Sequence, residues 1–100
     1  MTKQQQIQHF DTFVNRMRET LLSKGDDYAN SDRLSNFKTV GAITGSTASK
    51  ACLNLIAVKV ARLSVLLNSK KAPNNESIRD SILDLANYSV LLDMIEGEKI

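Results

Sequence analysis

Between Gly45 and Pro73 lies a segment whose apolar residues leave almost no side of a helix polar. Ala51, Leu53, Leu55, Ile56, Val58, Val60, Leu63, Val65, Leu66 and Leu67 surround the axis at about 100° per residue. A helix of that kind needs neighbours on several sides. Lys59 and Arg62 interrupt it, so no stretch reaches the ~18 apolar residues that a membrane span requires. The segment reads as a central helix over about 47–68, capped by Ser46 or Thr47.

The rest of the chain supplies candidate neighbours. Ile7, Phe10, Phe13, Val14, Met17, Leu21 and Leu22 recur at helical spacing, which predicts a first helix over about 5–24 with Gly25 ending it. Residues 26–33 read as a loop rich in Asp, Asn and Ser. Ser31 or Asp32 is placed to cap a short helix running to about Val40, with Leu34 and Phe37 on its inner face. Gly41 and Gly45 then break the pattern. After the polar turn NSKKAPNN, Asn75 is placed to cap a fourth helix over about 76–96. Ile78, Ile82, Leu85, Ala86 and Leu92 form one of its faces, and Leu83, Val90, Leu91, Met94 and Ile95 another. No stretch alternates with period two over a convincing length. The expectation is an all-α single domain over 1–100: a small helical bundle built on a long antiparallel helix 3–helix 4 hairpin. A chain of this length buries only about 60–65% of its unfolded surface, so completion by oligomerisation is expected.

Charge is distributed unevenly. The net charge of +2 is too small for general nucleic-acid binding. Between Arg33 and Glu76 no acidic residue occurs, while Arg33, Lys38, Lys50, Lys59, Arg62, Lys70 and Lys71 do. The last segment is acidic, with Glu76, Asp80, Asp84, Asp93, Glu96 and Glu98. Helices 3 and 4 should therefore attract one another. A single cysteine, Cys52, excludes an internal disulfide and fits a reducing compartment. Residues 1–6 do not read as a signal peptide, and the expected location is the cytosol.

Two groups of residues could carry chemistry. Glu76, Asp80, Asp84 and Asn87 share a sector of about 80° on helix 4. Three carboxylates in a row can hold a hard cation such as Mg²⁺, or accept salt bridges, or simply decorate a solvated first turn. On helix 3, Lys59 and Arg62 stand among aliphatic residues. In an antiparallel hairpin Arg62 would approach Asp80 and Lys59 would approach Asp84. The stretch KGDDYANSDRLSNF would close over that polar end. There Lys24 and Arg33 offer cations, Arg33 with a planar fork for phosphate or carboxylate. Tyr28 and Phe37 offer stacking surface, and Asp27, Asp32 and Asn36 could orient the cations or read polar edges of a ligand. The plainer alternative is a capped loop with ordinary core aromatics. No GxxxxGK[ST] loop and no His/Cys cluster occurs.

Four ordered blocks carry a resemblance. They are Lys24, Asp27 and Tyr28; Asp32, Arg33, Leu34, Asn36 and Phe37; Lys59 to Leu63; and Glu76, Ser77, Asp80, Ser81, Ile82, Asp84, Leu85, Asn87 and Tyr88. Over about residues 20–92 the chain resembles small helical phage and prophage proteins of the nucleotide modification associated domain 1 type. Those are regarded as distant relatives of the MazG-like all-alpha nucleotide pyrophosphatases. The resemblance implies an oligomeric helical fold and a nucleotide-related role. Asp80 and Asp84 look like the second acidic motif of the pyrophosphatases. Their first motif, E-E-x-x-E, has no counterpart, because the equivalent helix carries Lys59 and Arg62. A Mg²⁺-dependent hydrolase needs several carboxylates, and one partly neutralised stripe is a poor site for it. Binding of a nucleotide or nucleotide-derived signal without catalysis is the leading expectation. A Mg²⁺-dependent nucleotide pyrophosphohydrolase and a purely structural oligomeric interaction protein are the alternatives.

Overall fold

The computed structural model describes residues 1–28, 31–69 and 75–99, the side chains of 25, 27, 28 and 75–77 excepted. The order is α1 (Lys3–Tyr28), α2 (Ser35–Ile43), α3 (Ala48–Leu67) and α4 (Asn75–Gly97), with no strand among the described residues. The all-helical expectation is met, and α3 and α4 pack closely. Cross-links between them run in opposite senses along the two chains. Ser49 pairs with Glu96, Cys52 Sγ–H donates to the Tyr88 carbonyl (3.4 Å), and Lys59 meets Asp84 (2.9 Å). Hence the pair is antiparallel. The α1–α4 contacts run in the same sense, Arg16 to Asp80 and Lys24 to Asp84, so α1 lies parallel to α4.

A compact core joins α2, α3 and α4. Leu34, Phe37, Cys52 and Ile95 are buried together, with Leu55, Ile56, Tyr88 and Leu91 packed against them. Phe37 is on the inner face of α2, as its spacing from Leu34 requires.

The boundaries depart from the sequence reading in three places. First, α1 runs through Gly25 to Tyr28. A glycine inside a helix costs only about 1 kcal/mol, and the end of this helix is braced from outside. The Arg33 guanidinium donates to the Leu22 carbonyl (2.8 Å) and to Asp26 Oδ1 (2.6 Å). Residues 26–28 are therefore helix and not loop. Second, neither Ser31 nor Asp32 caps α2. Leu34 occupies the cap position without a side-chain bond, and Asp32 Oδ1 instead accepts the Leu34 N–H at 3.0 Å. Third, α2 continues past Val40 through Gly41. A Cβ at Gly41 would stand 2.7 Å from the Thr47 carbonyl carbon, so glycine is there to let α2 and the start of α3 touch. Gly45 takes a left-handed φ of 66° and turns the chain, and Thr47 Oγ1 then caps α3 by accepting the Lys50 N–H at 3.1 Å. The proposed Asn75 cap concerns a side chain outside the described residues.

The reading of α3 as enclosed on most sides also needs correction. Only Ala51 and Cys52 are buried along it, while Leu53, Val58, Val60, Val65 and Leu67 are at least half exposed. One chain provides α3 with two neighbours, α4 and α2, and its apolar circumference exceeds what two helices cover. Ile7, Phe10 and Val14 on the first half of α1 are exposed as well. Among the described residues no helix is long and apolar enough to cross a membrane.

Candidate functional site

The polar heart of the molecule is Asp84. It projects from the middle of α4 with 17% of its side chain exposed. Lys59 from α3 reaches Oδ2 at 2.9 Å, and Lys24 from α1 reaches Oδ1 at 3.2 Å. Three helices are thus tied through one carboxylate. Burial pushes the Asp84 carboxyl up, but the hydrogen bonds from Lys59 and Lys24 outweigh it and hold it below the usual carboxylate range. The expected meeting of the basic middle and the acidic last helix occurs here.

The second expected pair does not form. Asp80 is exposed and its ion pair is with Arg16 of α1 at 3.8 Å, while Arg62 is exposed on α3. The physical reason is the place of α1. It lies parallel to α4 on the side of Asp80, so Arg16 takes the partner assigned to Arg62. The side chain of Glu76 lies outside the described residues, so the proposed Mg²⁺ set reduces here to Asp80 and Asp84. Each of these is already matched by a cation. Among the described residues no three His, Cys, Asp or Glu side chains come together as a metal site.

Beside Asp84 a cleft of about 670 Å³ opens between the C-terminal half of α1, the 31–34 turn, α2 and α4. Lys24, Asp32, Arg33, Asn36, Phe37, Asp84 and Asn87 all line it. Lys59 stands behind Asp84, and Arg62 and Asp80 lie away from the cleft. The side chains of Asp27 and Tyr28 lie outside the described residues. Such a volume lies within the usual range for a small-molecule site.

The walls of the cleft are mainly apolar. Leu21, Leu34, Phe37, Leu55, Tyr88 and Leu91 contribute to them. Its rim is charged. Lys38 bridges Asp32 Oδ2 at 2.6 Å and Glu98 Oε2 at 3.0 Å, joining α2 to the end of α4. The hydrogen bond from Lys38, with that from the Leu34 N–H, holds Asp32 below the usual range, and the bonds that Lys38 donates to Asp32 and Glu98 raise Lys38.

Within this lining one group is out of balance. Asn87 is 94% buried by its 6% exposure, and among the described residues neither its Nδ2 nor its Oδ1 has a hydrogen-bond partner. An amide buried without partners costs about 1–3 kcal/mol, so such a group in a cleft marks a place built for something besides stability.

Sequence reasoning missed Tyr88, Lys38 and Arg16. Tyr88 was legible as the residue one turn beyond Asp84, on the same side of α4 as Leu91. Arg16 carries no local signal, because Asp80 is far away in the chain, and the bridge made by Lys38 is hidden because only one of its two partners, Asp32, is near it in sequence.

Comparison with protein-family models, with curated proteins and with solved structures finds no match to this chain. Its reading therefore rests on its own geometry.

Proposed function

We propose that this protein binds a nucleotide or nucleotide-derived small molecule in the cleft beside Asp84, without catalysing its hydrolysis. The observation that carries the reading is the buried amide of Asn87, unpartnered among the described residues, in the lining of a mainly apolar cleft with cations near its mouth. An amide offers a donor and an acceptor side by side, the pattern that reads the edge of a nucleobase. Phe37 and Tyr88 contribute flat apolar surface against which a base can stack. Arg33 and Lys24 supply donors for phosphate at the α1 end. Both are held by carboxylates, Asp26 and Asp84. A bound phosphate would exchange with those partners and not meet bare cations, which favours moderate affinity and reversible binding.

Binding without hydrolysis is favoured by the same contacts. Activating a water on Mg²⁺ requires carboxylates free to ligate it. Asp84 is shared by two lysines and Asp80 is matched by Arg16.

Thermal denaturation with a panel of nucleoside mono-, di- and triphosphates, with and without Mg²⁺, tests the reading. A ligand at a hundredfold its Kd stabilises by about 2.7 kcal/mol, which in a domain of this size raises Tm by roughly 10–20 °C. The shift should persist without Mg²⁺ and should shrink in Arg33→Ala. Absence of a shift with every nucleotide would reject the reading. Mg²⁺-dependent loss of triphosphate over time would replace it with the hydrolase.

A further inference from the structure

Two stripes of the same period remain partly uncovered in the protomer. On α1 the residues Ile7, Phe10, Val14, Met17 and Leu21 follow one another at intervals of three and four. On α3 the residues Leu53, Ile56, Val60, Leu63 and Leu67 do the same. That spacing is the seam of a left-handed helix pair, in which each apolar knob enters a hole on the facing helix. The C-terminal half of the α1 stripe rests against the body of the protein. Its first half does not, and Ile7, Phe10 and Val14 are exposed, Phe10 by 65%. On α3, Leu53, Val60 and Leu67, one heptad apart, are each at least half exposed.

We propose that these stripes are the interface with a second copy of this chain, arranged as a twofold dimer in which α1 of each protomer lies along α3 of the other. Three features of the chain favour a second copy over a foreign partner. The stripes match each other in period, and one twofold operation brings the free first half of α1 onto α3 in both chains. They also match in shape. The α3 stripe is bordered by Ala57 and Ser64, both exposed and small, where a bulky knob such as Phe10 can seat. Charge does not oppose the contact, since the only charged residues of α3 beyond Lys50 are Lys59, turned to Asp84, and Arg62, away from the stripe around the axis.

Area supports the same conclusion. Half of an aliphatic side chain is roughly 50 Å² and two-thirds of a phenylalanine roughly 130 Å². The six exposed positions thus offer roughly 400 Å² of apolar surface per copy. At an ordinary interface composition of about 57% apolar, two copies would bury roughly 1,400 Å² in total. That lies within the roughly 1,200–2,000 Å² of a stable, specific interface. Because the six exposed positions lie away from the Asp84 cleft, the contact stands or falls independently of nucleotide binding.

The test is sedimentation of the full chain at micromolar concentration, with helicity followed by circular dichroism. The wild type is expected to be a dimer. Phe10→Lys and Val60→Glu should each be monomeric with helical spectra preserved, since both positions already meet solvent in the protomer. Mixed in equal amounts, the two variants should recover a dimer. In that heterodimer one contact becomes a Lys–Glu pair and the other keeps its native Phe and Val. Pairing of α1 with α1, or of α3 with α3, would place each variant residue against a wild-type one and restore nothing. A monomeric wild type would overturn the proposal and leave the stripes to a different protein. Dimeric single variants, or a mixture that stays monomeric, would overturn it too. Should either variant lose its helical spectrum, Phe10→Ser and Val60→Ser give the same reading through a raised dimer dissociation constant, and an unchanged constant in both would overturn the proposal.

Discussion

At the scale of single residues, Asn87 and Asp84 stand one turn apart on α4 and have opposite histories. Asp84 has more partners than a carboxylate needs, and Asn87 has none among the described residues. The difference predicts opposite responses to loss of polarity. Asn87→Leu keeps the branched skeleton of the side chain and removes a buried amide that makes no bond among the described residues, so the ligand-free protein should become more stable by about 1–3 kcal/mol, a rise in Tm of roughly 4–24 °C. Any nucleotide-induced shift should disappear in the same variant. A fall in Tm on that replacement would show that the amide is structural, and the reading of the cleft would go with it. The Asp84–Lys59 pair was legible in the sequence because both residues belong to adjacent helices joined by a short turn. The Arg16–Asp80 pair was not, because nothing local tells which side of α4 the first helix will occupy.

At the scale of elements, the four helices followed from apolar spacing, but their ends did not. Gly25, Gly41 and Gly45 look alike in the sequence, and each reads as a stop. Only Gly45 turns the chain, with its left-handed φ. Gly25 is carried inside α1, whose end Arg33 braces, and Gly41 sits inside α2 at the approach to α3. The distinction depends on tertiary contacts that a local pattern cannot encode. It also predicts different penalties. Alanine at Gly45 has open space around it and meets only backbone strain, about 1–2 kcal/mol. Alanine at Gly41 would meet the backbone of Thr47 and Ala48 at 2.7 to 3.0 Å, where no side chain can swing away. Its cost should be roughly 1–3 kcal/mol or more and should be accompanied by separation of α2 from α3. Urea denaturation of both variants, with hydrogen exchange across 35–50, measures this. Gly41→Ala should raise exchange throughout α2, and Gly45→Ala only at the turn.

At the scale of the whole molecule, ion pairs join helices that the small core alone holds together, so stability should depend on pH in a definite way. Asp32, Asp84 and Glu96 all sit below their ordinary values, by the action of Lys38, of Lys59 and Lys24 against burial, and of Lys99 and Ser49 respectively. A lowered carboxylate binds fewer protons in the folded than in the unfolded chain. Its contribution is present above the unfolded value and is lost as pH falls through the folded one. Stability should thus decline below about pH 4. Asp32 and Glu96 lie at the surface, and their share should fade in high salt, whereas Asp84 is largely enclosed and its share should survive. The residual acid limb in high salt should vanish in Asp84→Asn. On the alkaline side, burial raises the Cys52 thiol, and hydrogen bonds to Asp32 and Glu98 raise Lys38. Raised groups contribute below the unfolded value and lose that contribution as pH climbs through the folded one. The alkaline decline should therefore begin near pH 9, where an unfolded cysteine ionises, and steepen above about 10.5, where an unfolded lysine does. Cys52→Ala lowers stability everywhere by leaving a small void. What identifies the thiol is the slope, since the variant should stay flat between about pH 9 and 10.5 while the wild type falls. Equal slopes in the two proteins over that interval would mean that the thiol ionises as readily inside the core as outside it, against its complete burial between α3 and the Tyr88 carbonyl.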